Sequence, residues 1–553
     1  MFKKVFIANR GEIALRIVRA CRDLGVRSVV AYSEADRDSL PVRLADEAVC
    51  IGPASAERSY LHIPAVVSAA LMTGADALHP GYGFLSENPY IAEICEKLGL
   101  TFIGPGPRVI EQMADKAAAR RIMKRAGLPV LPGSDEPLLN AGQARELAAV
   151  LGYPLILKAV GGGGGRGMRV IHHDAEMADA YAIASSEAGA AFRNADLYLE
   201  RYLIDPRHVE VQVLGDSAGQ IIHLGTRDCS LQRRHQKVLE EGPAPGLTPA
   251  LLEEIAQAAV RGSRAIGYSN AGTLEFLVDP AGGAYYFIEM NTRIQVEHPV
   301  TELITGVDLV TWQIRIAAGE SLTLPQEAIR IRGHAIECRI NAEDARRGFM
   351  PQAGTVELYL APGGPGVRVD SHLYSGYTAP ASYDSLLGKL IVWGEDRATA
   401  LARMQRALAE TIVVGLPTTI PFHQAILRHP AFQRGAVHVG FLQQWMDDLL
   451  GVPPVGGMLG TGPERDGAPA PVDEADERPA GRQPAEEPPA PAQETQDHGQ
   501  AEAGDGAHRA ERPGLAGQPD DAGDAGGRPH GRRRQPASGR RRAAEPEPRP
   551  AGE

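Results

Sequence analysis

One stretch, Tyr286 to Pro299, limits the folds open to this chain more than any other segment. It begins as an apolar run typical of a β-strand and then carries carboxylate, amide and guanidinium groups at every second position. Because alternate residues of an extended strand share a face, one face is expected to present Glu289, Asn291, Arg293, Gln295 and Glu297 for as long as the backbone stays extended. The opposite face is expected to point into a core with Ile288, Met290, Ile294 and Val296. This combination predicts a site that holds an anion and a divalent metal together.

The segment before this stretch supplies a second carboxylate. Gly272 to Val278 is a predicted strand with the lone acid Glu275, and Gly282-Gly283 predicts a hairpin turn after it. The hairpin would place Glu275 beside Glu289. With the amide oxygen of Asn291, these carboxylates form a hard-oxygen site suited to Mg²⁺ or Mn²⁺ that bridges phosphates.

The N-terminal region has the pattern of a βαβ unit. Val5–Ala8 and Ser28–Tyr32 are predicted strands, and apolar residues at helical spacing predict a helix over 13–24 between them. A parallel sheet covered by helices is therefore expected. The first turn has no GxGxxG pattern, which disfavours a dinucleotide cofactor. The turn-rich segment His79–Asn88 either lines a cleft or forms a rigid loop at a strand end.

A glycine-rich loop follows a predicted strand at residues 155–160 that contains Lys158. Glycines in series, here Gly161 to Gly165, let backbone N–H groups approach phosphate oxygens. No lysine follows the last glycine, so the loop is not a P-loop. A phosphate-binding loop that closes over a nucleotide and a flexible surface loop are the two interpretations.

Two further segments have a pattern that suits a nucleotide site. Leu197–Leu203 is predicted to run from a strand into a connector whose backbone could meet an adenine edge. The run Arg233-Arg234-His235-Gln236-Lys237 leads into apolar residues and predicts an anion-facing segment, although a solvated basic run is the alternative.

Composition excludes several classes of protein. The chain has 553 residues and a net charge of −12, which argues against a general nucleic-acid binder. No apolar run approaches the roughly 20 residues of a membrane span, and the N-terminus lacks the apolar region of a signal peptide. The five cysteines are scattered without a metal-ligand spacing, so reduced thiols and a cytoplasmic location are expected.

The last part of the chain differs from the rest. From Gly460 to Glu553 only Leu515 and Val472 represent the large aliphatic residues, and Pro, Ala, Gly, Glu, Asp and Arg dominate. Such a segment cannot offset its chain entropy by burial, so a disordered tail is predicted from residue 447. A solvated tail, an out-of-frame reading of a GC-rich gene and an arginine-rich contact for an acidic partner are the interpretations.

Taken together, six segments resemble the biotin carboxylase family of ATP-grasp enzymes, which includes a component of acetyl-CoA carboxylase. The segments that carry the resemblance, in chain order, are Ile7–Ala14, His79–Asn88, the glycine loop, Arg233–Lys237, Tyr286–Pro299 and Tyr383-Asp384-Ser385. The resemblance implies an α/β fold with a Rossmann-like N-terminal domain, an ATP-grasp domain with a glycine-rich lid, a mixed α+β C-terminal domain and a disordered tail. Their expected bounds are 1–114, 115–331 (lid about 131–203), 332–446 and 447–553.

The resemblance also implies roles for individual residues. ATP would be bound by Lys116, Lys158, Gly164, Gly165, Glu200, Arg201, Leu203, His208, Gln232, His235, Glu275 and Glu289. The metal ligands would be Glu275, Glu289 and Asn291, and bicarbonate would be held by Lys237, Arg293, Gln295 and Val296. Glu297 would be the general base, with Arg293 and Lys237 beside it, and Arg339 would stabilise the biotin enolate.

The implied reaction is ATP-dependent carboxylation of biotin by bicarbonate through carboxyphosphate. No Ala-Met-Lys-Met motif is present, so biotin would be carried by a separate carrier protein, with carboxyltransferase subunits as further partners. Family members often dimerise through Gly-Gly-Phe-Gly-Val-Arg, and Pro365 replaces the aromatic residue here, which weakens the expectation of a homodimer. Three alternatives remain: a carboxylase component for pyruvate, propionyl-CoA or another acceptor, an ATP-grasp ligase for another acid, and a non-catalytic protein that binds ATP and regulates a partner.

Overall fold

The structure is a computed structural model that describes residues 1–161, 167–192, 194–279 and 283–451. Two predictions lie outside these residues. The first is the pair of loop glycines Gly164 and Gly165, and the second is the tail from residue 452 onward.

The N-terminal segment forms a five-stranded parallel sheet in the order β3-β2-β1-β4-β5. Its elements are β1 (Lys4–Ile7), α1 (Gly11–Asp23), β2 (Arg27–Ser33), α2 (Leu40–Leu44), β3 (Glu47–Gly52), α3 (Ile63–Met72), β4 (Ala77–His79), α4 (Pro89–Lys97), β5 (Thr101–Phe102) and α5 (Pro107–Ala114). Helix α1 packs Ile13, Ile17 and Cys21 against the sheet, since these residues recur at helical spacing and are buried. The predicted βαβ unit and Rossmann-like sheet are confirmed.

The following segment contains a smaller three-stranded sheet in the order β7-β6-β8. Its elements are α6 (Lys116–Arg125), α7 (Ala141–Leu151), β6 (Leu155–Ala159), β7 (Met168–Ile171), α8 (Met177–Phe192) and β8 (Leu197–Arg201). Helix α6 begins where predicted because the Asp115 carboxylate accepts hydrogen bonds from the N–H groups of Ala117 and Ala118. Helices α7 and α8 cover the sheet with small residues such as Ala148 and Ala184.

A large antiparallel sheet carries most of the predicted site. Its first elements are β9 (Arg207–Gly215), β10 (Ile221–Arg233), β11 (Gln236–Gly242), α9 (Pro249–Ala265), β12 (Asn270–Val278), β13 (Tyr285–Asn291), α10 (His298–Thr305) and α11 (Leu309–Ala317). Strands β9 and β10 form the hairpin predicted across the turn at Gly215–Gly219. Strands β12 and β13 also pair as predicted, with Glu275 directly opposite Glu289.

The C-terminal segment extends the same sheet. Its elements are β14 (His334–Asn341), β15 (Glu343–Asp344), β16 (Met350–Pro351), β17 (Gly354–Thr355), β18 (Leu358–Leu360), β19 (Val367–Ser371), β20 (Thr378–Ala379), β21 (Leu386–Gly394), α12 (Arg397–Glu410), β22 (Ile412–Val414), α13 (Ile420–Arg428), α14 (Pro430–Gln433) and α15 (Phe441–Gly451). The order β13-β12-β9-β10-β11-β14-β21-β19 joins strands from both sides of residue 331 into one eight-stranded sheet.

The alternation from Ile288 to Glu297, which was expected only while the backbone stays extended, is broken in two places. Phe276 pairs with Phe287 and Glu275 with Glu289, so Ile288 is a bulge residue that is only half-buried, and Phe287 takes the core position. Strand β13 then ends at Asn291, and Glu297 is the residue before helix α10. Pro299 in the first turn of α10 suits a helix start and not a strand.

The predicted tail boundary at residue 447 is also wrong. Helix α15 continues to Gly451, with Leu449 buried and Leu450 half-buried against the C-terminal core. Asp447 and Asp448 gave these positions a tail-like composition, but they belong to the polar side of an amphipathic helix.

Two other expectations concern cysteines and membranes. All five cysteines are free thiols, and Cys50 differs from the expected core position because it is exposed. Among the described residues, no helix is both long and apolar enough to cross a bilayer.

We expect truncation after Met446 to lower the free energy of unfolding by about 2–4 kcal/mol, because it removes two leucines that pack on the core. Truncation after Gly451 keeps both leucines and should leave stability unchanged. Urea unfolding of the two shortened chains measures the difference, and equal stabilities would contradict the packing role of α15.

Candidate active site

The centre of the site is the ammonium group of Lys237 on β11. Its Nζ lies 2.6 Å from Glu210 Oε2, 2.8 Å from Glu275 Oε1 and 2.7 Å from Glu297 Oε1. Burial alone would lower the pKa of Lys237, but the three carboxylates raise it well above its usual value. Lys237 is therefore a permanent cation that draws acids from β9, β12 and the start of α10 to one point.

Three residues that sequence reasoning missed, Arg227, Glu210 and Gln212, belong to this centre. Arg227 on β10 is fully buried and its Nε donates to Glu210 Oε1 at 2.5 Å. Its Nη1 donates to Gln212 and Thr301. Glu210 and Gln212 alternate with apolar residues along β9, so their common face with His208 was visible in the period-two pattern of residues 208–214.

The predicted metal ligands lie together. Glu275 and Glu289 are cross-strand partners, and Asn291 Nδ2 donates to Glu275 Oε1 at 2.9 Å. Their oxygen atoms are the donor set that Mg²⁺ and Mn²⁺ prefer, and cations already balance both carboxylates here. The fit to a divalent ion is therefore good. A neighbouring group of ligand atoms from His208, Glu210 and Glu275 lies within 4.8 Å, but Lys237 contacts both of its carboxylates.

Two lysines lie beside acids on the nucleotide side. Lys116 Nζ is 2.7 Å from Glu289 Oε2, and Lys158 Nζ is 2.5 Å from Glu200 Oε2. The pKa of Lys116 is raised because Glu289 outweighs the effect of burial. Each ammonium group is paired with one carboxylate in the region where phosphates are expected. A phosphate oxygen can therefore replace that carboxylate as the partner of the lysine.

His208 and Gln232 form a hydrogen-bonded pair next to the metal ligands. His208 Nε2 lies 2.9 Å from Glu275 Oε2, and its Nδ1 lies 2.7 Å from Gln232 Nε2. Burial lowers the pKa of His208, but Glu275 more than compensates and raises it. His208 is thus held with its Nε2 proton toward Glu275.

The basic run predicted to face an anion is divided by a hairpin turn. Arg234 and His235 form its two central residues, with φ values of 49° and 64°, between Arg233 and Gln236. Arg233 turns away and donates to the Gly348 carbonyl, whereas Lys237 points into the site. Partial burial and the charges of Lys116 and Lys158 lower the pKa of His235.

The residues predicted to bind bicarbonate are held in place by mutual hydrogen bonds. Arg293 Nη2 donates to Asn291 Oδ1 at 2.8 Å and its Nη1 donates to Gln295 Oε1 at 3.1 Å. Gln295 Nε2 in turn donates to Glu275 at 3.2 Å. Arg293 also pairs with Glu87 of the turn-rich segment His79–Asn88, which supports the cleft interpretation of that segment.

Glu297 is ionised and fully buried between two cations. Its Oε2 lies 3.0 Å from Arg339 Nη2, and its Oε1 accepts from Lys237. Burial would raise the pKa of Glu297, but Lys237, Arg339 and Arg227 hold it well below its usual range. A carboxylate in this state can accept a proton once an anionic substrate draws the cations away.

A second buried lysine, Lys389 on β21, holds the backbone next to the residues predicted to bind bicarbonate. Its Nζ donates to the Val296 carbonyl at 2.8 Å and lies 3.0 Å from Glu12 Oε1, which also accepts from the Tyr82 hydroxyl. Lys389 is fully buried. A lone lysine in an apolar strand was the available sequence signal, the same one that drew attention to Lys158.

Some predicted residues are not joined to this cluster. Arg201 is exposed at the end of β8, and Leu203 is half-buried just after it. The Glu200 carboxylate is engaged with Lys158 and Arg120, so only backbone near it is left for a nucleotide base.

We expect Lys389→Met to destabilise the fold by about 3–5 kcal/mol, because it leaves buried Glu12 without its cation. The double variant Lys389→Met/Glu12→Gln should recover most of the stability without recovering the hydrogen bond to Val296. Thermal unfolding of both variants checks the ion pair. Equal stability of the single variant and the unchanged chain would contradict it.

Comparison with protein-family models gives three matches that together span most of the described chain. Residues 1–110 match "Biotin carboxylase, N-terminal domain", residues 115–325 match "Carbamoyl-phosphate synthase L chain, ATP binding domain", and residues 337–444 match "Biotin carboxylase C-terminal domain".

Individual proteins give the same result. A protein of Nostoc sp. named biotin carboxylase is 55% identical over 443 residues, which cover 80% of this chain and 99% of the relative. A pyruvate carboxylase subunit of Methanothermobacter thermautotrophicus is 53% identical over 445 residues, covering 80% of this chain and 90% of that one. A crystal structure of the biotin carboxylase domain dimer of Hydrogenobacter thermophilus 2-oxoglutarate carboxylase, with MgADP, ADP and bicarbonate, matches with a TM-score of 0.78 and 50% identity, covering 81% and 99% of the two chains.

Proposed function

Because this chain belongs to the biotin carboxylase family, we propose that it carries out the first half-reaction of acetyl-CoA carboxylase on a separate biotin carrier protein. The chain is an ATP-dependent carboxylase ligase, as its family models and its relatives show. The observation that carries the proposed residue roles is the junction of Lys237 with Glu275 and Glu297, because it joins the metal-side acid to the base through one cation.

Binding of bicarbonate is assigned to the preorganised amide and guanidinium groups. Lys237, Arg293 and Gln295, with the backbone of Val296, would surround the anion, and Lys389 fixes that backbone through the Val296 carbonyl. Bicarbonate would compete with Glu297 for Lys237 and so raise the pKa of the carboxylate toward the range of a useful base.

The nucleotide is assigned to the opposite side of the same cations. Lys116 and Lys158 would contact its phosphates together with the loop glycines Gly164 and Gly165. The Glu200–Leu203 segment would meet the adenine, and His208, Gln232 and His235 would line the nucleotide pocket. A divalent ion held by Glu275, Glu289 and Asn291 would neutralise phosphate charge and orient the γ-phosphoryl group.

The reaction then proceeds by proton, phosphoryl and carboxyl transfer between neighbouring groups. Glu297 takes the proton of bicarbonate while a bicarbonate oxygen attacks the γ-phosphorus, and the bond to ADP breaks to give carboxyphosphate. Loss of CO₂ from carboxyphosphate leaves phosphate, which takes the proton of the biotin ureido nitrogen. Arg339 stabilises the resulting enolate through its guanidinium group, and the nitrogen attacks CO₂.

The wider assignments rest on the relatives. Acetyl-CoA as the final acceptor follows from the resemblance of the sequence segments, and the 53% identity to a pyruvate carboxylase subunit makes pyruvate the second candidate. The dimer in the 2-oxoglutarate carboxylase crystal supports a homodimer despite Pro365. Carboxyltransferase subunits, a cytoplasmic location and the division into segments 1–114, 115–331 and 332–446 belong to the same proposal.

We expect Glu297→Gln to lower bicarbonate-dependent ATP hydrolysis at least about 100-fold, since a positioned base contributes about 10²–10⁴-fold. ATP binding, measured by calorimetry with Mg²⁺, should change little, because Glu297 lies on the bicarbonate side. Free biotin should stimulate hydrolysis by the unchanged chain. Loss of nucleotide binding in the variant would contradict the base role, and no stimulation by biotin would contradict the biotin assignment.

The final acceptor can be identified by labelling. The chain is used to capture its biotinylated carrier and carboxyltransferase from its own source, and labelled bicarbonate is then supplied with acetyl-CoA, pyruvate or 2-oxoglutarate. We expect label in the acetyl-CoA product. Label in the pyruvate product alone would replace the acetyl-CoA proposal and leave the biotin half-reaction intact.

A further inference from the structure

One face of the large sheet carries a buried row of ionisable side chains behind the active site. Glu240 on β11 lies directly opposite Glu337 on β14, and Arg339 on β14 lies directly opposite Lys389 on β21. Because alternate residues share a face, Glu337 and Arg339 are neighbours on β14. Across the other side of β14, the partner of Glu337 is the apolar residue Ile391.

The two carboxyl groups have too few partners for two anions. Both side chains are fully buried, and Glu240 Oε2 and both oxygens of Glu337 have no hydrogen-bond partner among the described residues. Glu240 Oε1 accepts from Arg339, with Nε at 2.6 Å and Nη2 at 2.5 Å. Leaving three buried acceptor oxygens unpartnered is costly, and a single proton shared between the two acids would engage two of them in one hydrogen bond.

The charges around the pair are already committed elsewhere. Arg339 is shared between Glu240 and Glu297, and Lys389 is bound to Glu12 and the Val296 carbonyl. The other ionisable groups that face this region are Lys237 on β11 and Asp370 on β19. Lys237 is paired with acids of the active site, and Asp370 is paired with Arg368. No cation in the described structure makes an ion pair with Glu337.

The electrostatics agree with this geometry. Burial raises the pKa of Glu337 well above its usual value, more than Lys389 lowers it. Burial also raises the pKa of Glu240 to about 7, with Arg339 opposing the shift. The raised pKa values favour a proton on the pair, and Glu240 takes up a further proton as the pH falls through its pKa.

We propose that Glu240 and Glu337 share one proton, with Glu337 as the acid, and that this pair is the positioning element that holds the Arg339 guanidinium at the biotin side of the site. The inference rests on the proposed role of Arg339. Arg339 lies between Glu240 and Glu297. The charge of the Glu240–Glu337 pair therefore decides how strongly the guanidinium is attracted to Glu240 and away from Glu297. Neither acid touches a reacting atom, and both act through Arg339.

The pair with one proton is the state that supports the biotin-dependent reaction. As pH falls through the pKa of Glu240, the pair becomes neutral, and Arg339 is released from Glu240 and drawn fully to Glu297. The biotin-dependent reaction should therefore lose rate on the acid side near neutral pH. Hydrolysis of ATP with bicarbonate in the absence of biotin uses Glu297 but not the enolate function of Arg339, so the ratio of the two rates separates the enolate function from any effect of Arg339 on the base.

Three variants test the pair through the pH profile of kcat/KM for biotin. Each value is divided by the rate of biotin-independent hydrolysis at the same pH to give a ratio, and the fall of this ratio toward low pH is called the acid limb. In Glu337→Gln the amide can donate to Glu240 as the acid does, so the ratio should stay within about threefold and the acid limb should remain. Glu337→Leu removes the donor, so the limb should move to higher pH. Glu240→Gln should lower the ratio about ten- to a hundredfold and abolish the limb, as expected for loss of a charge-assisted hydrogen bond.

A strong loss in Glu337→Gln, or an unmoved limb in Glu337→Leu, would overturn the proposal, because Glu337 would then be an ionised counter-ion or a bystander. Infrared difference spectra of unchanged chain minus Glu337→Gln provide a test that needs no activity. We expect the carbonyl stretch of a protonated carboxylic acid at neutral pH, and its absence would overturn the shared proton even if the biotin reaction is as proposed. If the stretch is present but free biotin has no effect, the function proposal fails and the proton-sharing pair stands.

Discussion

The interaction on which the rest of the site depends is the contact of one buried ammonium group with three carboxylates. Lys237 brings together Glu210, Glu275 and Glu297, which come from β9, β12 and the turn before α10. Each acid would repel the others without it, and in a buried setting that repulsion would force protons onto them. The cation instead lowers the pKa of Glu275 and of Glu297, so both stay ionised, as their proposed roles as metal ligand and base require. Arg227 adds a second positive charge, because its buried guanidinium group forms an ion pair with Glu210.

The large sheet explains how so many charges can be buried at once. Its strands β9 to β14 direct one row of side chains toward the cluster and the other row into apolar cores, so most of the charges meet a partner from a neighbouring strand. Lys389 extends this principle to the backbone, because it holds the carbonyl of Val296. The Glu240–Glu337 pair is the place where the row has more acids than available cations.

Sequence reasoning succeeded where a local rule was sufficient. The hairpin at Gly283 and the alternation of β12 placed Glu275 opposite Glu289, and Asp115 marked the start of α6. It failed where the backbone left the regular pattern. The bulge at Ile288 and the end of β13 at Asn291 break the period of two, yet Glu297 reaches the same cluster because the turn before α10 redirects it toward Lys237. Lys389, Glu240 and Glu337 were missed since their partners are distant in sequence.

The sequence by itself determined the fold class, the family and the residue types of the site, because hydrophobic period, turn residues and motif order are local properties that survive in a single chain. Only the tertiary structure decided which charges are neighbours. That Arg339 is shared by Glu240 and Glu297, or that Glu337 has no cation of its own among the described residues, depends on strand order and register across the sheet. Protonation follows from those neighbours and from burial, so it could not be assigned before the strands were paired.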